Sequence, residues 1–411
     1  MDPGRIEARK EGKPMKSLRR TFVLGLGLTV LAAAALNAET ISISWNTVEQ
    51  APPLNEGLFL PRVASDWVYG SILMYQNGPG FTGIGYQDGN GNPPGGPLTG
   101  VDWCCYPGNS MNSEVGKATS VGLANATNAN GVTHDTALEV HQGGQDGGSL
   151  LWYSLGTAKL SSSQRIPDTV NWAASQSYDN GFNPTVGVDN SYYLANPVNA
   201  AVVEVHQAAS GRSDLWYHFG LLMGINGSSP SMAWFPATQV QYTSSGNATS
   251  ISGNFPSVSL SDGLAVLVYQ GGSGDLYYSI GVNDIFAGIT WSAPVNYTSG
   301  YNPSISVYGC PGCAGWTVVE AHQSNTASDG GGTLFYRTGT IDRSGTVLGG
   351  GAKIPTLKWM PDRDRSYDTG CYPSVATNGV YVWEVHQNSC GDSNGLPDLV
   401  YSKFGQLVYS F

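Results

Sequence analysis

Short runs rich in β-branched and aromatic residues, each bounded by Gly, Pro, Asn or Asp, succeed one another from residue 41 to the C-terminus. That pattern predicts strands joined by turns. The runs also repeat. Ala137-Leu138-Glu139-Val140-His141-Gln142 returns as Val202-Val203-Glu204-Val205-His206-Gln207, as Val318-Val319-Glu320-Ala321-His322-Gln323 and as Val382-Trp383-Glu384-Val385-His386-Gln387. Ser71-Ile72-Leu73-Met74-Tyr75-Gln76 and Ala265-Val266-Leu267-Val268-Tyr269-Gln270 are weaker copies. A period of about sixty residues marks a repeat architecture.

Each phrase has the same neighbours. An extended run precedes it, as in Pro184-Thr185-Val186, Pro256-Ser257-Val258 and Pro373-Ser374-Val375. An aromatic run ending in Gly follows, as in Leu151-Trp152-Tyr153 to Gly156 or Leu215-Trp216-Tyr217 to Gly220. A Trp closes five units: Trp103, Trp172, Trp234, Trp291 and Trp359. Four strands per unit predict one antiparallel sheet each. The fold class expected is all-β, a six-bladed β-propeller of four-stranded antiparallel blades. The sixth unit ends too early for a normal fourth strand, and the chain begins with a spare one, Ile41-Ser42-Ile43-Ser44-Trp45. This N-terminal strand is expected to close the last blade, with the tail Leu407–Phe411 competing for the same edge, because an open stack would leave unpaired edges.

Residues 1–38 read as a leader. A basic stretch, Lys16 to Arg20, precedes the apolar run Phe22–Leu36, and Ala38 offers a cleavage site before Glu39. The run is about fifteen residues, short of the roughly twenty that span a bilayer. The expectation is a secreted or periplasmic protein with no stable membrane insertion after cleavage, its single domain covering 39–411. That domain carries 12 basic and 27 acidic residues. Such a surface repels phosphate backbones, which argues against nucleic-acid partners.

Six Cys in an exported chain are free to pair. Cys371 precedes the first strand of the last unit and Cys390 follows its second, so the two meet in a hairpin and a disulfide is predicted. Cys310 and Cys313 are expected to staple one loop, and the adjacent Cys104 and Cys105 either bridge or remain thiols. No ligand set for zinc is apparent. Asp88-Gly89-Asn90-Gly91-Asn92 has the opening of a calcium loop but lacks its later bidentate Glu. Neither a metal nor a cofactor is expected.

Two sets of residues carry candidate ligand chemistry. Glu and His of the phrase are two apart on a strand and share a face: Glu139 with His141, Glu204 with His206, Glu320 with His322, Glu384 with His386. Where Glu is replaced His is too, as in Leu73 with Tyr75 and Leu267 with Tyr269, so the two depend on one another or on a common partner. They read either as a buried network between blades or as four copies of a ligand site. Trp152, Trp216 and the loop-like Tyr178, Tyr297 and Tyr367 offer flat apolar faces with a polar handle, the surface a sugar ring packs on.

A ring of short four-stranded repeats with an aromatic motif in each resembles the six-bladed fucose-binding lectins, over residues 41–411 and in plan. Those lectins use an Arg, a Glu and an aromatic per site, and no Arg recurs in these repeats. The chain is also similar in plan to the sialidases. Ser177-Tyr178-Asp179-Asn180-Gly181 and Ser366-Tyr367-Asp368-Thr369-Gly370 fit the first five positions of their box, Ser-x-Asp-x-Gly-x-x-Trp, with Pro184 and Pro373 where its Trp belongs. The resemblance implies a lectin-like protein binding carbohydrate or another cell-surface ligand at repeated sites. A sialidase-like or other glycan-cleaving enzyme, with converging carboxylates at a channel mouth, is the alternative, and an adhesion scaffold without a small ligand is a third.

Overall fold

The computed structural model describes residues 40–46, 49–50, 58–65, 70–77, 82–91, 101–103, 109–127, 133–143, 148–159, 170–189, 199–209, 212–227, 229–284, 288–309, 314–324, 332–344, 353–361, 364–390 and 399–410. Among these the chain is all-β, without a helix. No helix of the described residues is long and apolar enough to cross a membrane.

Every phrase lies on the second strand of an antiparallel meander. In the third unit the order is Gln176–Asp189, Asn199–Ala208, Leu215–Met223, Ser231–Trp234. The fourth runs Asn254–Ser261, Leu264–Gln270, Asp275–Asp284, Gly288–Trp291. The fifth is Tyr301–Tyr308, Gly315–Gln323, Gly332–Asp342, Leu357–Trp359. The first two units run from Leu58 to Trp103 and from Asn109 to Trp172 in the same order. The sixth has Arg365–Thr377, Tyr381–Gln387 and Val400–Ser410, and Thr40–Trp45 pairs antiparallel with the last of these. Leu407 to Ser410 therefore continue the third strand rather than competing with the N-terminal one.

One register recurs at the outer strand. The closing Trp stands opposite the Gly that ends the aromatic run: Trp103 and Gly89, Trp172 and Gly156, Trp234 and Gly220, Trp291 and Gly281, Trp359 and Gly339. Trp45 and Gly405 complete the series. A Cβ on Gly156, Gly281 or Gly405 would come within 3.0 Å of the indole, so these positions need glycine for close approach. The closing Trp also meets, edge-on, a Tyr of the preceding unit's third strand. Trp172 meets Tyr86, Trp234 Tyr153, Trp291 Tyr217, Trp359 Tyr278 and Trp45 Tyr336, at centroid distances of 5.5 to 6.1 Å. Edge-to-face aromatic pairs add about 0.5–1.5 kcal/mol beyond the area they bury, so each contributes to fixing one sheet against the next.

The first strands line a central cavity of about 160 Å³, with Val63, Val121, Val186, Val258, Ile305 and Val375 among its walls. Their hydroxyls tie neighbouring units together. Ser120 Oγ accepts from Val186 N, Thr185 Oγ1 from Val258 N, Ser257 Oγ from Ile305 N and Ser304 Oγ from Val375 N, at 3.1 to 3.3 Å. Ser374 Oγ accepts from Val63 N at 3.1 Å, which joins the sixth unit to the first. Arg62 stands at this position in the first unit.

Each first strand carries one extra residue, a β-bulge, just before this contact. Its residue has positive φ in all six units: Leu60, Ala118, Asn183, Phe255, Asn302 and Tyr372. That conformation is costly for a side chain other than Asn or Gly. The Gln that ends the phrase helps to hold it. Gln387 Oε1 accepts from Leu60 N at 2.9 Å, and Gln323 Oε1 from Tyr372 N at 3.0 Å, in each case one unit onward.

The core is a set of clusters between neighbouring units, not one central mass. Val203, Val205, Tyr217 and Phe219 of the third unit pack on Val258, Leu267 and Tyr269 of the fourth. Leu73 and Tyr75 of the first pack on Trp383, Val385 and Phe404 of the sixth. Asp88 and Asn90 lie on strand Thr82–Gly91, opposite Ile72 and Gly70.

Candidate functional site

The Glu and His of the phrase face the preceding unit. Glu139, Glu204, Glu320 and Glu384 are fully buried, and their His partners are nearly so. In all four pairs the His Nδ1 lies 3.0 Å from a carboxylate oxygen of its Glu. Two residues of opposite charge on one face of one strand reach each other without distortion, and burial strengthens their attraction. Where the pair becomes Leu73 with Tyr75 or Leu267 with Tyr269, the same space is filled by apolar packing.

Three units extend the pair into a longer chain. Tyr297 donates its hydroxyl to Glu320 Oε1, and Tyr367 donates to Glu384 Oε1, both at 2.9 Å. Tyr178 occupies the equivalent position beside Glu204. These Tyr are not loop residues: Tyr178, Tyr297 and Tyr367 lie on strand segments that pair with the preceding unit's third strand. Each stacks on the closing Trp of its own unit, on Trp234, Trp359 and Trp45, with centroids 5.0 to 5.2 Å apart. Their rings are spent on packing, and their hydroxyls reach inward.

On the far side of the imidazole stands a second, partly exposed acid. His206 Nε2 lies 3.6 Å from Asp179, His322 Nε2 4.0 Å from Asp364 and His386 Nε2 3.8 Å from Asp368. A third group meets that acid from the strand position opposite the Glu: His218, Arg337 or Lys403. His218 Nε2 is 2.7 Å from Asp179, Lys403 Nζ is 3.0 Å from Asp368, and Arg337 Nε pairs with Asp364. Sequence reasoning missed this set, because only the strand register shows that residues 218, 337 and 403 face the Glu.

Electrostatics follows from this layout. Burial opposes protonation of His206, His322 and His386, but the Glu and then the Asp beside each outweigh it, and all three titrate above the ordinary histidine value. Burial, and then the adjacent Glu, hold the phenols of Tyr178, Tyr297 and Tyr367 well above theirs, so they remain donors.

The aromatic residues of the third strand behave differently. Trp152, Trp216, Tyr277, Phe335 and Tyr401 occupy equivalent positions, opposite His141, His206, Tyr269, His322 and His386. All five are half-buried. Phe335, Tyr401 and Tyr277 stack on the facing ring at 5.7 to 5.8 Å, each leaving part of its surface to solvent.

The central cavity offers other chemistry. Arg62 lines it, donating from Nη1 to the Pro61 carbonyl at 3.0 Å, and burial lowers its pKa to about 10. Among the described residues lining the cavity there is no Asp or Glu. Cys371 and Cys390 form the expected disulfide, with Cα atoms 5.3 Å apart. Cys104, Cys105, Cys310 and Cys313 lie outside the described residues.

No protein-family model matches the sequence, and no curated protein matches it. Among solved structures, the intramolecular trans-sialidase from Ruminococcus gnavus is 10% identical, with a TM-score of 0.48 over 90% of this chain and 98% of that one. The Trypanosoma rangeli sialidase is 12% identical, with a TM-score of 0.43 over 89% and 60%. The fucose-specific lectin from Aleuria aurantia is 13% identical, with a TM-score of 0.40 over 82% and 90%. Likeness at this level assigns no chemistry to the chain.

Proposed function

We propose that residues 39–411 form a single closed six-bladed β-propeller, each meander a blade and Thr40–Trp45 the outer strand of the last. We propose further that it is an exported, lectin-like protein that binds carbohydrate, or another cell-surface ligand, at repeated sites between blades. The observation that carries this reading is the series Trp152, Trp216, Tyr277, Phe335 and Tyr401, one half-buried aromatic at the same place in each of five units. In three units a partly exposed Asp and a basic side chain stand on the other side of the same His. An aromatic face with an acceptor and a donor nearby is what a sugar ring and its hydroxyls require. The buried Glu and His position that surface rather than touch the ligand.

A glycan-cleaving site at the cavity is the weaker reading. In the form that uses a pair of carboxylates roughly 5–10 Å apart, it finds none on the described walls of the cavity. Export is supported by the basic and apolar leader before Glu39 and by the Cys371–Cys390 disulfide. A glycan-array screen of the chain from Glu39, with chromatography for released sugar, tests the proposal. Saturable binding without release is expected, and release of sugar would favour the enzyme.

A further inference from the structure

The third unit departs from the fifth and sixth at one position, and that difference has chemical content. Opposite Glu320 and Glu384 stand Arg337 and Lys403, fixed cations that neutralise Asp364 and Asp368. Opposite Glu204 stands His218. Two imidazoles, His206 and His218, then aim Nε2 at one carboxylate oxygen, Asp179 Oδ2, at 3.6 and 2.7 Å. The three candidate ligand atoms all lie within 4.8 Å of one another.

Both rings are oriented from behind. His206 Nδ1 lies 3.0 Å from Glu204 Oε2, and His218 Nδ1 lies 2.8 Å from the Phe235 carbonyl oxygen. A carbonyl oxygen accepts only, so His218 Nδ1 carries the proton. Such bonds fix the tautomer that leaves Nε2 free to ligate, the arrangement found behind metal-bound histidines. Ligand atoms around an ion held by bonds near 2.0 Å sit about 3.3 Å apart, which these side chains reach by sub-ångström to ångström shifts. Both His are buried, whereas Asp179 is partly exposed, so the open side of the site faces solvent.

We propose that Asp179, His206 and His218 bind one divalent transition-metal ion, zinc by the borderline character of two imidazoles and a carboxylate. The ion takes the place that Arg337 and Lys403 fill elsewhere in the ring. Its remaining position is open to water or to an oxygen of a ligand lying on the aromatic surface beside Asp179.

The test is zinc titration by competition with a chromophoric chelator, using chain purified without a metal-binding tag. One equivalent per chain is expected. H218K, which copies the sixth unit, is expected to fold, to keep its melting temperature without metal and to lose zinc affinity by at least ~100-fold; E204Q, acting through His206, by ~10–100-fold. Cobalt in place of zinc is expected to give visible bands of a nitrogen-ligated site in the unmutated chain, a readout independent of whether H218K folds. Absence of both saturable zinc binding and those bands, or full zinc affinity in folded H218K, would overturn the proposal.

Discussion

Trp45 and Gly405, from opposite ends of the chain, face each other in the register that Trp359 and Gly339 adopt within the fifth unit. The N-terminal strand thus reproduces the outer strand of the other units down to its Trp–Gly contact. A Cβ at residue 405 would lie 2.4 Å from Ile43 Cγ2 and 2.8 Å from Trp45 Cε3. Gly405→Val is therefore expected to destabilise by about 1–3 kcal/mol through overpacking and to raise hydrogen exchange in residues 40–45. Gly272→Ala, with nothing within 4 Å of the new methyl group, should stay within about 0.5 kcal/mol of the parent. Chemical denaturation compares them, and a neutral Gly405→Val would contradict this packing.

The Glu–His pair is expected to behave as one unit. Glu320→Leu alone leaves His322 and the Tyr297 hydroxyl buried without their acceptor, a change that costs about 3–5 kcal/mol. Adding His322→Tyr recreates the Leu267–Tyr269 pair of the fourth unit. The double variant should be more stable than Glu320→Leu by at least about 1 kcal/mol. A double-mutant cycle measures the coupling, and additive losses would show that the two side chains act independently.

Stability is expected to fall as pH rises above about 6.5. His322 and His386 titrate higher in the folded protein than their ordinary value of 6.5. Below that value both states hold the proton and the pairs contribute in full. As pH climbs through the folded-state value the native protein releases the proton and the contribution is lost. Melting temperature against pH reads this slope, and His322→Gln with His386→Gln should reduce it, His206 retaining its share. A slope unchanged by the double substitution would assign it to other groups.

The strand order was legible because the phrase, the aromatic run and the closing Trp each recur with turn residues between them. Ile41 to Trp45 was legible as a strand, spare at the start of a chain whose sixth unit ends early, and it pairs with Val400–Ser410. The tail was ambiguous, since a run such as Leu407-Val408-Tyr409 reads alike as a separate strand or as the end of a longer one. The site was less legible. Glu204 and His206 stand two apart in sequence, but their companions Asp179 and His218 come from two other strands, and only register joins them. Tyr178, Tyr297 and Tyr367 resemble loop residues because Asp, Asn, Thr and Gly follow them. Those polar residues instead pair with the preceding unit before the bulge turns the strand inward.

The Cys371–Cys390 bridge closes a loop of sequence separation 19 around the last hairpin. Loops of this size restrict the unfolded chain by about 3 kcal/mol. Cys371→Ser with Cys390→Ser should lower stability by about that amount without altering far-ultraviolet circular dichroism. A variant as stable as the parent would mean that the bridge holds nothing the strand pairing does not.

The most direct measurement of the binding account is titration of a glycan-array ligand against the parent chain and against Trp216→Ala, Phe335→Ala and Tyr401→Ala. The account predicts more than one ligand per chain, with each substitution removing one site and leaving the others at parental affinity. A single site per chain, unaffected by all three substitutions, would contradict it.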